Sequence, residues 1–253
     1  MRGPALNLPA NAKLNLELRV SGSRPDRDHE IDTLLQAISL HDMVQMEVAD
    51  ETSLEVIAGD APTGSANLIL KAVAALEVAA GRALPVRLRL LKRIPIGAGM
   101  GGGSSDAAAT LRGLKRLFGL ETELEPVASE LGADVAFFLR GGTARGRGRG
   151  EQLTALPLSK GVYALAWPGF GVSTAAVYRA WDQVGGEDPN QLARAAFQVE
   201  PRLAEFAARL GPRWQLTGSG SAFFRACVSQ PEAAAAIAPL ECWTSVAAPV
   251  GPW

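Results

Sequence analysis

"IPIGAGMGGGSSDAAA", residues 94–109, holds five glycines and then runs into two serines, an aspartate and three alanines. Glycine lets a backbone approach a ligand closely because it has no Cβ. The free N–H groups of a helix's first turn, together with the positive end of the helix dipole, attract anions. The stretch therefore predicts a loop and helix start that hold a polyphosphate, with Ser104 or Ser105 as the N-cap and Asp106 in the first turn.

Other interpretations of this loop fit the sequence less well. A tight strand-to-helix turn that binds nothing would need only two glycines. Gly97, Gly99 and Gly102 match the GxGxxG pattern of dinucleotide-binding folds, but that pattern belongs in the first strand–helix turn, after a buried strand. Here it follows strands of alternating polarity. A Walker loop is excluded because the chain contains no GxxxxGK[ST].

The composition disfavours several classes of protein. The 253 residues carry a net charge of −1, so no overall field draws the chain to nucleic acid or acidic lipid. Cys227 and Cys242 have no CxxC spacing, which argues against a zinc site and fits a reducing cytoplasm. No apolar run is long enough to span a membrane or to serve as a secretion signal, so we expect a cytoplasmic protein. "RGRGRGE", residues 145–151, fits a glycine-rich hairpin better than an RNA-binding segment.

The periodicity of the chain predicts an α+β fold in two parts. Residues 13–20 alternate apolar and polar side chains, as a half-buried strand does. Residues 135–148 are predicted to be a strand that enters a glycine turn. Helical patterns are found at 67–81, 104–119, 125–133, 174–184, 200–211 and 232–238. The character of the chain changes near 155–160, where we place a domain boundary.

Three short stretches away from the loop also carry chemistry. "ANAKLN" puts Lys13 on the polar face of a strand. "LGADVAFFL" puts Asp134 just after a short helix in an apolar setting, where it is either a desolvated carboxylate acting as a base or an aspartate of a helix C-terminus. "LTGSGSAFF", residues 216–224, is a second glycine–serine turn. Together with the glycine loop they indicate a site for phosphate chemistry.

These stretches resemble the motifs of one family. "PIGAGMGGGSSDAA" resembles the ATP loop of the GHMP small-molecule kinases, "ANAKLNLELRVSGSRPDRDHEI" their first motif and "LTGSGSAFF" their third. The resemblance covers most of residues 8–180 and resumes at 215–225. The first motif, with "GADVAFFLRGGTARGRGRGE" and "GVSTAAVY", is similar to the branch that phosphorylates a cytidine-diphosphate sugar alcohol in the non-mevalonate isoprenoid pathway.

The resemblance implies a fold and a set of ligands. We expect a ribosomal-S5-like N-terminal domain over 1–157, a ferredoxin-like C-terminal domain over 158–253, and a cleft between them for ATP and a small alcohol. Mg²⁺ is expected from the chemistry of ATP, with its protein ligands left open. We expect no nucleic-acid or membrane partner, and a monomer or a weak homodimer.

The resemblance also implies roles for individual residues. Lys13 and Asp134 match the catalytic pair of the family, and Asn67 matches a residue near the adenine. The positions that match the ATP loop are Pro95, Gly97, Gly99, Gly101, Gly102, Gly103, Ser104 and Ser105. Those that match the substrate side are Asn15, His29, Thr174 and Tyr178.

The chain departs from the family in the first motif. Where the family has DGYHE, this chain has "DRDHE", so Asp28 stands in place of a tyrosine that stacks on the cytosine. An aspartate cannot supply that stack, so the departure bears on substrate affinity more than on chemistry. Two alternatives therefore stay open: a GHMP kinase for another small alcohol, and a nucleotide-binding protein with weak or lost turnover.

Overall fold

The computed structural model describes residues 5–23 and 29–253. Its strands form two sheets, and helices pack on each sheet, which confirms the predicted α+β class. The first half contains β1 (Leu6–Ser23), β2 (His29–Val48), β3 (Ser53–Ala58), α1 (Leu68–Ala80), β4 (Val86–Leu91), α2 (Gly102–Phe118), α3 (Leu124–Leu131), α4 (Ala133–Arg140), β5 (Thr143–Arg147) and β6 (Gln152–Leu156). The second half contains β7 (Val162–Trp167), α5 (Thr174–Val184), α6 (Ala193–Val199), α7 (Pro201–Leu210), β8 (Gln215–Leu216), β9 (Phe223–Cys227), α8 (Gln230–Ile237) and β10 (Trp243–Ala247).

The first sheet has the order β3-β4-β2-β5-β6, and β1 pairs with β2 in antiparallel register along its length. Its alternating apolar side chains, such as Val44, Met46 and Leu88, point toward α1–α4 and form one buried core with them. The helices bury this face because each has an apolar stripe of its own. The packing places the N-terminal end of α2 beside the middle of β1.

The second sheet is antiparallel with the order β10-β7-β9-β8, and α5–α8 cover part of it. Its other face packs against the first sheet: Leu14 and Ile38 lie in one buried cluster with Leu165 and Phe224. This shared cluster holds the two sheets against each other. The first sheet ends at Leu156 and the second begins at Val162; the domain division at 157/158 remains a prediction.

The predicted start of α2 is wrong by about three residues. The helix begins at Gly102, and its N-cap is Gly101, which has the left-handed φ of 72°. The Ser105 N–H donates to the Gly101 carbonyl at 2.9 Å, so neither Ser104 nor Ser105 caps the helix. Asp106 consequently lies beyond the first turn, in which there is no acidic residue. Glycine takes the cap because only it adopts this φ without strain.

The segment predicted to be a strand over 135–148 is helical in its first part and forms a strand, β5, over Thr143–Arg147. Residues Ala133–Arg140 form α4, and Asp134 lies in its first turn instead of at the C-terminus of a helix. The apolar run is too short for periodicity to separate helix from strand. Phe137 and Phe138 are completely buried in the core of the first half, and packing against α2 and α3 decides the outcome. Helix α6 and strands β6 and β10 were not predicted.

Over residues 5–23 and 29–253, no helix has the length and apolar character needed to cross a membrane. Cys227 and Cys242 are free thiols, as predicted. Burial raises the pKa of both thiols.

Candidate active site

A cleft of about 610 Å³ opens between the first glycine loop, residues 97–103, and the second glycine loop, residues 217–221. Lys13 and Asn15 of β1 form part of its wall, and Asp134 at the start of α4 forms another part. Thr174 and Tyr178 of α5 line the side that belongs to the second sheet. The structure thus brings together groups that are up to about 200 positions apart in the chain.

The two glycine loops pack directly on each other. A Cβ built on Gly99 would lie 2.5 Å from the Thr217 carbonyl oxygen, so no other residue fits there. The Ser221 and Ala222 N–H groups donate to the carbonyls of Gly97 and Ala98. Gly103, in the first turn of α2, is exposed and has only ordinary contacts. The N–H groups of Gly102, Gly103 and Ser104 in this turn have no intrahelical partners. These three residues line the cleft.

Lys13 lies at the centre of the cleft wall. Its Nζ donates to Asn15 Oδ1 at 2.5 Å and to the Gly99 carbonyl at 2.8 Å, and lies 3.9 Å from Asp134 Oδ2. Burial lowers the pKa of Lys13, and the charge of the Asp134 carboxylate opposes this shift. The prediction that the polar face of β1 is half exposed is wrong at Lys13 and Asn15, because the glycine loops cover both side chains.

Asp134 differs from the expectation of a desolvated carboxylate. Its side chain is 43% exposed, whereas that of Lys13 is 5% exposed. The carboxylate is therefore open to the cleft while the lysine is fixed behind it. This follows from the place of Asp134 at the N-terminal end of α4, where the helix emerges from the core.

The predicted nucleotide-side residues, apart from Ser105, line the same cleft as Lys13 and Asp134. Asn67 caps α1: its Oδ1 accepts from the Ile69 N–H at 2.9 Å and its Nδ2 donates to the Pro62 carbonyl at 2.7 Å. Pro95 and Ser104 line the cleft with it. Ser105 does not: it is 1% exposed and lies under the loop. A role for Ser105 toward ATP stays a prediction.

The predicted substrate-side residues contact neighbouring side chains, and two of them, His29 and Tyr178, contact each other. Asn15 Nδ2 donates to Thr33 Oγ1 at 2.8 Å, and the hydroxyls of Thr174 and Ser219 lie 2.8 Å apart. The ring of His29 lies 4.8 Å from that of Tyr178, and its Nε2 is 2.8 Å from Asp182 Oδ1. His29 thus packs on Tyr178 and is not itself among the described residues that line the cleft. Asp28 lies outside the described residues.

A buried ionic cluster under the first glycine loop was not predicted. Lys92 Nζ lies 2.5 Å from Asp42 Oδ2 and 2.8 Å from Asp106 Oδ2, and the other oxygen of Asp42 accepts the N–H groups of Arg93 and Ile94. Burial raises the pKa of Asp106 to about 8, with Lys92 acting against the rise. Lys92 thus joins two buried carboxyl groups in one cluster. Asp42 sits in the middle of β2, where no sequence pattern marks it.

Among residues 5–23 and 29–253, no three His, Cys, Asp or Glu side chains cluster as a metal site would require. A nucleotide-bound Mg²⁺ needs fewer protein ligands, because phosphate oxygens and water supply the rest. Ser104 and Asp134 both bring hard oxygen atoms to the cleft. This donor set fits a magnesium ion that arrives with the nucleotide.

Comparison with known proteins places the chain in a family. The model for the GHMP kinases N terminal domain matches residues 67–142. A crystal structure of 4-(cytidine 5'-diphospho)-2C-methyl-D-erythritol kinase superposes with a TM-score of 0.80 at 37% identity, covering 96% of this chain and 99% of that one. The chain belongs to the 4-diphosphocytidyl-2-C-methyl-D-erythritol kinase family of GHMP kinases. The predicted GHMP-kinase-like fold is thereby confirmed.

Curated relatives carry the same family name. The 4-diphosphocytidyl-2-C-methyl-D-erythritol kinase of Rhodococcus jostii is 43% identical over 80% of this chain and 68% of the relative. That of Carboxydothermus hydrogenoformans is 43% identical over 67% of this chain and 60% of the relative. The matches thus span between about three fifths and two thirds of the length of these relatives.

Proposed function

We propose that the chain transfers the γ-phosphoryl group of ATP to the 2-hydroxyl of 4-diphosphocytidyl-2-C-methyl-D-erythritol, a step of the non-mevalonate isoprenoid pathway in the cytoplasm. The observation that carries this proposal is the pair of Lys13 and Asp134, 3.9 Å apart between the two glycine loops. Its support is the family to which the chain belongs. We further propose the domains 1–157 and 158–253, and a monomer or a weak homodimer.

The triphosphate of ATP would lie on the first glycine loop. The free N–H groups of Gly102, Gly103 and Ser104 and the dipole of α2 attract its negative charge. The loop itself leaves room because five of its seven residues, 97–103, are glycines. Asn67, which also lines the cleft, would lie near the adenine.

Asp134 would orient the acceptor hydroxyl. Phosphoryl transfer has a loose transition state, so the enzyme contributes mainly by positioning and by neutralising charge. The exposed carboxylate can accept a hydrogen bond from the hydroxyl and take its proton late in the reaction. Lys13 would hold the Asp134 carboxylate in place through their contact at 3.9 Å and stabilise charge that develops on the transferred group.

Magnesium fits this arrangement through Ser104 and Asp134. The ion neutralises negative charge on the phosphate oxygens and orients them when it is bound. The Lys13 contacts to Asn15 and to the Gly99 carbonyl fix the ammonium group independently of the ion. The protein's own contribution is therefore a fixed cation beside an open carboxylate.

The acceptor would lie on the side of the second sheet. Asn15 and Thr174 offer polar groups for the sugar alcohol, and Tyr178 offers a ring face for the cytosine. His29 packs on that ring at 4.8 Å and would hold it in place or contact the base edge. These four residues form the substrate side of the proposal.

A coupled ADP-release assay with purified protein tests the function. We expect turnover with 4-diphosphocytidyl-2-C-methyl-D-erythritol to exceed that with mevalonate or homoserine by at least about a hundredfold in kcat/KM. Preference for another alcohol would reassign the substrate within the GHMP kinases. Absence of ADP release above background with every alcohol, in protein that binds ATP, would show a nucleotide-binding protein without turnover.

A further inference from the structure

The segment formed by residues 188–191 lies between β1 and the second glycine loop. The Leu18 N–H donates to the Pro189 carbonyl at 2.8 Å, and the Gln191 N–H donates to the Leu18 carbonyl at 2.9 Å. The Val20 N–H donates to Gln191 Oε1 at 2.9 Å. The segment therefore runs along β1 and is fixed to the strand that carries Lys13.

The side chain of Asn190 leaves this segment on the opposite side and reaches the second glycine loop. Its Nδ2 donates to the carbonyls of Leu216 and Gly218, both at 2.8 Å. Its Oδ1 accepts from the Leu192 N–H at 3.0 Å. The residue is 6% exposed, so water does not readily replace these contacts. Asn190 thus binds the loop on both sides of Thr217.

Thr217 and Gly218 are the part of the loop that contacts the catalytic wall. Thr217 Oγ1 accepts from the Asn15 N–H at 2.9 Å. A Cβ built on Gly218 would lie 3.1 Å from Asn15 Oδ1 and 3.4 Å from Lys13 Nζ. A small displacement of the loop would therefore change the surroundings of the ammonium group directly.

We infer that Asn190 is a positioning residue for phosphoryl transfer: its amide group holds the second glycine loop against Lys13 and Asn15. This rests on the proposed function for the identity of the reaction. Asn190 touches neither Lys13 nor the cleft, and it lies outside the sequence motifs itself. The role follows from two hydrogen bonds to main-chain carbonyls that lie 26 and 28 positions away.

The test compares Asn190→Asp with Gln191→Ala. Asn190→Asp keeps the size of the side chain and removes both N–H donors. Gln191→Ala loosens the same segment from β1 but leaves the loop contacts in place, so it is the matched control. We expect kcat to fall at least about tenfold in Asn190→Asp, with the KM values changed less than threefold, and kcat to stay within twofold in Gln191→Ala.

A second readout does not depend on turnover. Hydrogen exchange followed by mass spectrometry should show faster exchange of the amides of residues 215–222 in Asn190→Asp than in wild type, and no such change in Gln191→Ala. If wild type lacks kinase activity but this pattern appears, the proposed function fails and the positioning contact stands. If Asn190→Asp does not fold, Asn190→Ala, which adds no charge, takes its place.

Unchanged kcat together with unchanged exchange in a folded Asn190 variant would overturn the inference. An equal loss of kcat in Gln191→Ala would also overturn it, because the effect would then belong to the segment as a whole. Lower thermal stability with an unchanged kcat would reduce Asn190 to a structural residue.

Discussion

Lys13 and Asp134 face each other with 3.9 Å between Nζ and Oδ2, and they differ sharply in exposure, at 5% for the lysine side chain and 43% for the carboxylate. The lysine is held from behind by Asn15 and by the Gly99 carbonyl, so its position is set by β1 and the first glycine loop. The carboxylate remains reachable from the cleft. This asymmetry suits a fixed cation beside a group that must meet a substrate hydroxyl.

Replacing Asp134 by asparagine should remove the proton acceptor while keeping the size of the side chain. General-base steps are worth roughly 10²–10⁴-fold, so we expect kcat to fall at least about a hundredfold with ATP affinity little changed. Steady-state kinetics and calorimetry measure the two effects. Asp188→Asn, in an exposed ion pair with Arg19, is the control and should stay within twofold. A loss of less than fivefold in Asp134→Asn would leave Asp134 only a structural role.

The phosphate site should be blocked by a side chain at Gly103. A Cβ there has Leu68 Cδ1 at 3.5 Å as its nearest neighbour, so Gly103→Val projects into the cleft without backbone strain. We expect calorimetry to show at least a tenfold loss of ATP affinity, with an unchanged melting curve. Gly101 is unsuitable for the same substitution. Its φ of 72° strains any residue with a Cβ, and that Cβ would lie 2.7 Å from the Phe138 ring, so the fold would be disturbed.

Gly251→Val is the control for this substitution, because nothing lies within 4 Å of a Cβ at that position. It should bind ATP as wild type does. Wild-type affinity in Gly103→Val would mean that the triphosphate does not lie over the first turn of α2.

The ionic cluster under the loop should make stability depend on pH. The pKa of Asp106 is raised from 3.8 to about 8 by burial, so between about pH 4 and pH 8 the folded chain binds a proton at Asp106 that the unfolded chain releases. The free energy of unfolding then falls as pH rises through this window, by at most about 1.4 kcal/mol per pH unit. The raised pKa of Lys92 acts only above its ordinary value of 10.5 and does not enter this window.

Asp106→Asn removes this titration and should flatten the dependence. Urea unfolding between pH 5 and pH 8 measures it for wild type, for Asp106→Asn and for Asp50→Asn, a control in an exposed turn. We expect the control to follow wild type. Parallel curves for wild type and Asp106→Asn would show that Asp106 is ionised in the folded protein throughout.

The ring of Tyr178 should contribute to acceptor binding. A base stacked on an aromatic ring is worth roughly 1–3 kcal/mol, so Tyr178→Ala should raise the KM for the cytidine substrate by between about five- and a hundredfold. The kcat should change little, because the ring stabilises ground and transition states alike. Tyr178→Phe keeps the ring beside His29 and should behave nearly as wild type. Equal KM values in all three proteins would place the cytosine elsewhere.

Short sequence motifs predicted those parts of the site that are formed by residues adjacent in the chain. The first glycine loop, Lys13 and Asp134 were found because their neighbours in sequence carry the signal. Asp42 and Asn190 were not found, since each acts through contacts with residues 26 to 64 positions away that no short pattern records. Phosphate-loop chemistry is thus readable from the sequence, whereas the groups that support the loops from behind are set by tertiary packing.

The helix α4 shows the same limit for the fold. Its apolar residues suit a strand as well as a helix, and burial of Phe137 and Phe138 against α2 and α3 decides between them. The error mattered for function, because the helical form places Asp134 at an exposed N-terminal turn. The strand prediction does not define whether the Asp134 carboxylate points toward the core or toward solvent.

The most direct test of the account is the identity of the product. ³¹P nuclear magnetic resonance and mass spectrometry of a reaction with ATP and 4-diphosphocytidyl-2-C-methyl-D-erythritol should show one new phosphomonoester, on the 2-hydroxyl and equimolar with the ADP released. Asp134→Asn protein at the same concentration should form less than about one hundredth as much in the same time. Release of ADP without a phosphorylated cytidine product, or a phosphate on another hydroxyl, would contradict the account.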